Sequence, residues 1–212
     1  SFSMPATDPL AGRRIVVTRP AERAGPLIAR LRARGAEPIA FPTIRLVPAD
    51  PGPLDAAIRA LAGFHWIIFT SLPGVVAFFE RLAAGGMDAA QLTRHRVAAI
   101  GPVTAAALRD RGVEPAFMPA EFVAEAILDG IGDVAGLAIL LPRADIARQA
   151  LANGLRERGA RVTEVAAYRT VGAEGPPPDV AGADAVTFTS SSTVRHFIEA
   201  GARVGAAKVV CI

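Results

Sequence analysis

The 212-residue chain is sparing with the residues that usually carry chemistry: one cysteine, one tyrosine, one tryptophan, three histidines and, among 23 basic residues, a single lysine. A lone Cys211 excludes an internal disulfide, and its apolar surroundings, Val209-Val210-Cys211-Ile212, predict a core residue rather than a reactive thiol. His65, His95 and His196 lack ligand spacing and a supporting cysteine pair, so no metal site is expected and each histidine reads as structural. No apolar run reaches the roughly 18 residues of a membrane span, and no signal-peptide pattern opens the chain. The expectation is a soluble, cytoplasmic protein with no membrane partner. A Gly-x-Gly-x-x-Gly after a strand, a P-loop and a nucleophile elbow are missing too, which takes the usual support from dehydrogenase, nucleotidase and hydrolase readings. Ser1-Phe2-Ser3 ahead of Met4 reads as the remnant of an expression tag and is set aside.

What is present is arginine. The formal charge is only +3, yet the isoelectric point is about 9.9, because arginine stays protonated past pH 12. No stripe of basic and aromatic residues accompanies this balance, which argues against nucleic acid. An acidic small molecule is the better partner, since the guanidinium fork suits carboxylates. Most of the arginines still read as solvated helix-surface charges.

Ile15-Val16-Val17-Thr18 is a β-branched run stopped by Arg19-Pro20, after which Leu27, Ile28 and Leu31 share a helical face that ends at Gly35. From Pro38 to Val47 the chain reads as an extended connector or edge strand, interrupted by Pro42. A helix carrying Leu54, Ile58 and Leu61 precedes Trp66-Ile67-Ile68-Phe69, an unbroken apolar strand of the kind buried in parallel sheets. Thr70-Ser71 follows, then a helix with Val76, Phe79 and Leu82 expected inward. Val97 to Ile100 is another buried strand, Gly101-Pro102-Val103-Thr104 opens the next helix, Phe117 ends a further short strand, and a helix is expected over 121–131.

The pattern then starts again. Ile139-Leu140-Leu141-Pro142-Arg143 repeats Ile15 to Arg19 at an offset of 124, Phe188-Thr189-Ser190 repeats Phe69-Thr70-Ser71 at 119, and Val209 to Ile212 repeats Val97 to Ile100 at 112. This predicts an internal duplication: two similar parallel-sheet α/β domains joined by a two-stranded β hinge. The expected boundaries are 5–40 plus 172–212 for one domain, 48–163 for the other, and hinge strands at 41–47 and 164–171. Because Ile212 aligns with Ile100, the duplication also predicts a helix, strand and helix beyond the last residue.

Both Phe-Thr-Ser loops pass from a strand into a helix, so each offers hydroxyls and unpaired backbone N–H groups at a helix N-terminus, a place suited to an anion. The order and spacing of Val17-Thr18-Arg19-Pro20, the two Phe-Thr-Ser loops, Ile100 to Ala105 and Ala167-Tyr168-Arg169-Thr170 resemble the uroporphyrinogen-III synthase family over Arg13 to Ile212. The resemblance implies interleaved domains with the active site in the cleft between them. It implies a cofactor-free reaction in which hydroxymethylbilane, possessing eight carboxylates, loses water and closes with its last pyrrole inverted, the substrate being received from hydroxymethylbilane synthase. It also implies a monomer.

Carried onto this chain, the family pattern makes Tyr168 catalytic and assigns Ser71, Thr104, Ser190 and Lys208 to substrate binding; Ser191, in the same hydroxyl loop, is expected to bind substrate too. Arg19 and Arg143, at matching strand ends, are expected to pair with its carboxylates. Each has a plainer reading: Ser71, Ser190 and Thr104 as helix caps, Tyr168 as hinge packing, Lys208 as a solvated lysine at a strand start. A two-domain module that binds an anionic molecule without chemistry, and a stand-alone domain of a larger bifunctional enzyme, also fit the residues.

Overall fold

The computed structural model describes residues 8–121, 123 and 125–212; the proposed tag remnant lies outside them. The chain forms two compact units, one from the residues up to Leu46 together with Thr170–Ile212, the other from Val47–Arg169. The elements are β1 (Arg14–Val17), α1 (Ala21–Ala33), β2 (Glu37–Ala40), β3 (Ile44–Pro48), α2 (Pro51–Arg59), β4 (Trp66–Phe69), α3 (Leu72–Ala84), β5 (Arg96–Ala99), α4 (Pro102–Arg109), α5 (Ala126–Gly130), β6 (Ala138–Ala144), α6 (Ala150–Glu157), β7 (Arg161–Gly172), β8 (Ala185–Phe188), α7 (Ser191–Glu199) and β9 (Lys208–Cys211). The chain crosses between units within β3 and within β7, which are neighbours in one sheet.

The first unit holds a parallel sheet in the order β2-β1-β8-β9. Val16, Val186, Phe188 and Phe41 form one side of its core with Phe197 of α7, whose ring lies 5.4 Å from Phe41 and 5.3 Å from Phe188. Within the sheet, the buried hydroxyls of Thr18 and Thr187 reciprocate: Thr18 Oγ1 donates to the Thr187 carbonyl at 2.6 Å and Thr187 Oγ1 to the Val16 carbonyl at 3.0 Å. These bonds satisfy side-chain oxygens that would otherwise be costly to bury.

In the second unit the order is β3-β7-β6-β4-β5. Strand period sorts its residues cleanly: Ile67, Phe69, Leu140, Val97 and Ala99 face α2, α3 and α4, whereas Trp66, Ile68, Ile139, Leu141 and Ala98 face α5 and α6. Burial of both faces explains the unbroken apolar run in β4. Each fully buried Ile, Leu or Phe contributes roughly 1.5–3 kcal/mol, so a one-residue slip would exchange two complete apolar sets and is strongly disfavoured.

The two sheets pair their strands in the same register. Arg14 faces Glu37, and Ala138 faces Arg161, both members shifted by 124. Ile15 faces Ala185 as Ile139 faces Trp66, and Ala185 faces Lys208 as Trp66 faces Arg96. Strand order matches as well, with β2-β1-β8-β9 corresponding to β7-β6-β4-β5.

Several expectations change. On α3 the inward residues are Val75, Phe78 and Leu82 rather than Val76 and Phe79, because α3 lies with Gly74 against the β6 backbone, turning the helix by one residue. The helix expected over 121–131 is the short α5, with residues 122 and 124 outside the described set. Phe117 makes one parallel bridge with Ala98 instead of ending a strand. Cys211 is exposed; among the described residues β9 is the last strand of its sheet, with Val209 and Val210 exposed beside it.

Candidate functional site

Each Phe-Thr-Ser loop is built as a strand that ends and a helix that begins on a serine. Ser71 has φ −159° and ψ 153°, and Ser190 has φ −165° and ψ 161°. Both are extended N-cap residues, and in both the side chain accepts the N–H of the third helical residue: Gly74 at 3.2 Å for Ser71, Thr193 at 3.3 Å for Ser190. At Ser190, Thr193 Oγ1 also accepts the Ser190 N–H at 3.3 Å, which closes a capping box. Ser190 Oγ lies 3.0 Å from Ser192 Oγ, and Ser190 and Ser191 are both exposed. The two loops belong to different units.

The loop in the second unit meets the residue expected to be catalytic. Ser71 Oγ and Tyr168 Oη are 3.0 Å apart. Tyr168 reaches this position through an irregularity in β7. Arg143 pairs with Ala166, but Ala144 pairs with Tyr168, so one residue of β7 bulges. Val165 and Ala167 face the α2–α4 core, and regular alternation would send Tyr168 to the other side; after the bulge it packs against that core as well.

Gly74 holds the helix end against β6, the neighbour of β7. A Cβ there would stand 2.9 Å from the Pro142 carbonyl oxygen, a backbone atom, and 3.3 Å from Ser71 Oγ. Propensity alone would favour alanine at this helical position by roughly 0.5–1 kcal/mol. The backbone contact reverses the sign, and Gly74→Ala is expected to destabilise the unit by about 1–3 kcal/mol, read as a lowered melting temperature. A raised melting temperature would show that α3 can back away at no cost.

The remaining expected residues divide. Arg19 follows β1 at the carboxyl end of its strand, half-buried. Thr104 does not display an open hydroxyl: it is 4% exposed, because it lies one turn before Leu108 on the inward stripe of α4. Lys208 is exposed but sits at the wrong end. It pairs with Ala185, the first residue of β8, and so lies at the amino edge of the sheet, whereas Ser190 follows the carboxyl edge.

Arg143 is also redirected. Its side chain is 5% exposed and pairs with Glu164, while a second guanidinium nitrogen donates to the Arg148 carbonyl at 3.1 Å. Arg156 reaches the other Glu164 oxygen at 2.9 Å. Burial by itself raises the Glu164 carboxyl, but the hydrogen bonds from Arg143 and Arg156 outweigh it and hold the group below its ordinary value. Arg143 is thus committed to an internal carboxylate: β6 runs on to Ala144, so Arg143 lies inside the strand rather than beyond its end. Sequence reasoning missed this partner; the acidic Glu164 directly ahead of the apolar Val165-Ala166-Ala167 in β7 was the available signal.

His65 and His95 are structural, His65 Nδ1 accepting the Ala138 N–H at 3.0 Å and His95 Nδ1 lying 2.8 Å from the Phe64 carbonyl. Among the described residues, no three His, Cys, Asp or Glu side chains are grouped as metal ligands would be, and no helix is long and apolar enough to cross a membrane. The site therefore offers a phenol, a serine hydroxyl and, at the start of α3, the Leu72 N–H, since Pro73 has none and the Gly74 N–H goes to Ser71: donors for a carboxylate or for a leaving oxygen.

Residues 25–212 match the family model described as uroporphyrinogen-III synthase HemD. A uroporphyrinogen-III synthase of Synechococcus elongatus is 36% identical over 203 residues, covering 92% of this chain and 76% of that protein. The porphyrin biosynthesis protein HemD of Ruminiclostridium josui is 33% identical, and this chain spans 41% of its length. Among solved structures, a mutant uroporphyrinogen III synthase from the extremely thermophilic bacterium Thermus thermophilus superposes with a TM-score of 0.71 at 23% identity, over 94% of this chain and 84% of that one. The enzyme from Helicobacter pylori gives 0.57 at 18% identity, over 94% and 83%. At such identities the two structures speak for the fold alone.

Proposed function

The chain belongs to the uroporphyrinogen-III synthase family, and on that premise we propose that it cyclises hydroxymethylbilane with loss of water and inversion of ring D, as a cofactor-free hydro-lyase. The observation that carries the reading into this chain is the 3.0 Å approach of Ser71 and Tyr168 at the N-terminus of α3. A phenol is protonated at neutral pH and can give its proton to the departing hydroxyl, which leaves as water. The azafulvene so formed is attacked by the substituted carbon of ring D, and rearrangement through a spiro intermediate yields the inverted ring. A proton is shed as the last pyrrole regains aromaticity, balancing the one donated.

Because the substrate closes without inversion when free in water, most of the protein's task is to hold rings A and D so that the hindered carbon reacts first. Preorganised donors on the carboxylates serve that end. Ser190 and Ser191 at the start of α7, the Leu72 N–H at the start of α3 and Arg19 are the groups suited to it. The shared register and strand order of the two sheets support an internal duplication, in which each unit supplies one serine-capped helix to the substrate, with β3 and β7 as the hinge. The reading includes a cytoplasmic monomer that takes its substrate from hydroxymethylbilane synthase.

The test is a product assay: the protein is incubated with freshly generated hydroxymethylbilane, the products are oxidised, and the porphyrin isomers are separated. The type III isomer is expected above the spontaneous type I background, in proportion to enzyme. Type I alone from a folded protein would favour a non-catalytic binder.

A further inference from the structure

We propose that Ser71 is a positioning residue for Tyr168: its hydroxyl donates to the phenol oxygen, which turns the phenol's own proton outward for transfer. This deepens the reading of Tyr168 as proton donor and rests on it, but its test needs no substrate.

The argument begins with the hydrogen-bonding capacity of one oxygen. A serine hydroxyl has one proton and two lone pairs. One lone pair of Ser71 Oγ takes the Gly74 N–H at 3.2 Å, leaving the proton and one lone pair for Tyr168 Oη at 3.0 Å. The distance admits either direction, and the two have opposite consequences. If the phenol donates to Ser71, its proton is tied inward. If Ser71 donates, the phenol proton can turn toward a leaving group.

The surroundings favour the second arrangement. Ser71 caps a helix of 13 residues, whose N-terminus carries partial positive charge. The Gly74 N–H draws electron density from Ser71 Oγ and makes its proton a stronger donor, as hydrogen bonds in a chain polarise one another. The positive end of α3 also favours the orientation in which negative charge accumulates on the phenol oxygen as it gives up its proton. The chain Gly74 N–H, Ser71 O–H, Tyr168 O–H therefore runs outward from the helix with every donor aligned.

The geometry is fixed from both sides. Gly74 is pinned against the Pro142 carbonyl of β6, and the β7 bulge opposite Ala144 sets Tyr168. Both partners thus hang on the same strand, β6, and the serine does not merely close a helix end.

Tyr168 is the only tyrosine in the chain, so the ultraviolet absorbance change of phenolate formation between about pH 8 and 12 reads its ionisation alone. Donation from Ser71 stabilises the phenolate. Removing it by Ser71→Ala or Ser71→Gly is expected to raise the titration midpoint by on the order of one pH unit. Glycine keeps most of the cap function, so the second variant retains the helix start if alanine frays it. Ser71→Thr, which restores the hydroxyl, should return the midpoint to the wild-type value. Asp50→Ala removes the cap of α2 in the same unit, where Asp50 accepts the Gly52 N–H at 3.0 Å, and should leave the midpoint unmoved. Ellipticity followed in parallel restricts the comparison to folded protein.

A midpoint that falls in the Ser71 variants would mean that the phenol donates to the serine, and an unchanged midpoint that the bond is not made in solution; either overturns the proposal. An equal rise in Asp50→Ala would reduce the effect to lost stability and overturn it too. Failure of the synthase reading would appear instead in the isomer assay, with the titration shift intact.

Discussion

Tyr168→Phe is expected to lower the rate of type III isomer formation at least tenfold while leaving the fold and melting temperature close to those of the parent. The expectation follows from what the substitution removes. The ring still packs against the Val165 and Ala167 side of the core, and phenylalanine conserves its volume, so little stability should be lost. Ser71 Oγ keeps the Gly74 N–H, which preserves the α3 cap. What disappears is the one proton that the site can direct at the departing hydroxyl from a phenol. General acid assistance is typically worth about 10² to 10⁴ in rate, and a tenfold fall is the lower bound, because the substrate's hydroxyl is a benzylic-type leaving group that water can also protonate. The fall should appear in the turnover number with little change in KM, since the acid acts in the transition state. The spontaneous rate of type I closure should stay unchanged, so the share of type I in the product should rise. Full turnover in the phenylalanine variant would return Tyr168 to its plainer role as packing on β7.

How much of this site could be read from residues alone depends on whether the signal was periodic or geometric. The strand β4 and the serine-capped starts of α3 and α7 were legible because burial on both faces and N-capping each leave a local signature. The repeat offsets of 124, 119 and 112 are matched by the strand register itself. The positions of Thr104 and Lys208 were not legible for a different reason. A hydroxyl in the first turn of a helix can face in or out, and nothing local distinguishes the two; the packing of α4 turns Thr104 inward. A strand's first residue lies at the amino edge of a parallel sheet whatever its chemistry, and Lys208 is that residue. The β7 bulge that aims Tyr168 was not legible at all, since the apolar run Val165-Ala166-Ala167 before Tyr168 has no alternation that an extra residue could break. Cys211 fell to the same limit: an apolar run marks a strand but not which of its faces is covered.

Arg143 carries the second large prediction. Expected to grip a substrate carboxylate, it instead stands at the bulge and fastens it, with one guanidinium nitrogen on Glu164 and another on the Arg148 carbonyl. Its Nε is buried and has no partner among the described residues, so the Glu164 carboxylate is the charge that makes burial of the cation tolerable. Glu164→Ala should therefore destabilise the second unit by about 3 kcal/mol, the low end of the range for breaking a buried pair, because Glu164 keeps 24% of its side chain in water. Replacing both partners, Arg143→Met with Glu164→Leu, should recover most of that loss, since an apolar pair needs no compensation. The pH dependence has a definite sign. The Glu164 carboxyl is held below its ordinary value in the folded state, so the unfolded chain binds more protons through that window and stability rises with pH. The contribution is complete above the ordinary carboxylate value of about 4.3 and is lost as pH falls through the lower folded one. Denaturation of the parent and of Glu164→Gln, compared from about pH 7 down to 3, should show a gap that is constant at the upper end and narrows below that ordinary value. The strand fastened by this pair is the one that sets Tyr168, so Glu164→Ala should also slow type III formation, and the apolar double variant separates the two effects. If it regains stability but not turnover, the ion pair sets the bulge and through it the phenol; if Glu164→Ala matches the parent in stability, Arg143 is better solvated than its burial implies and the fastening argument fails.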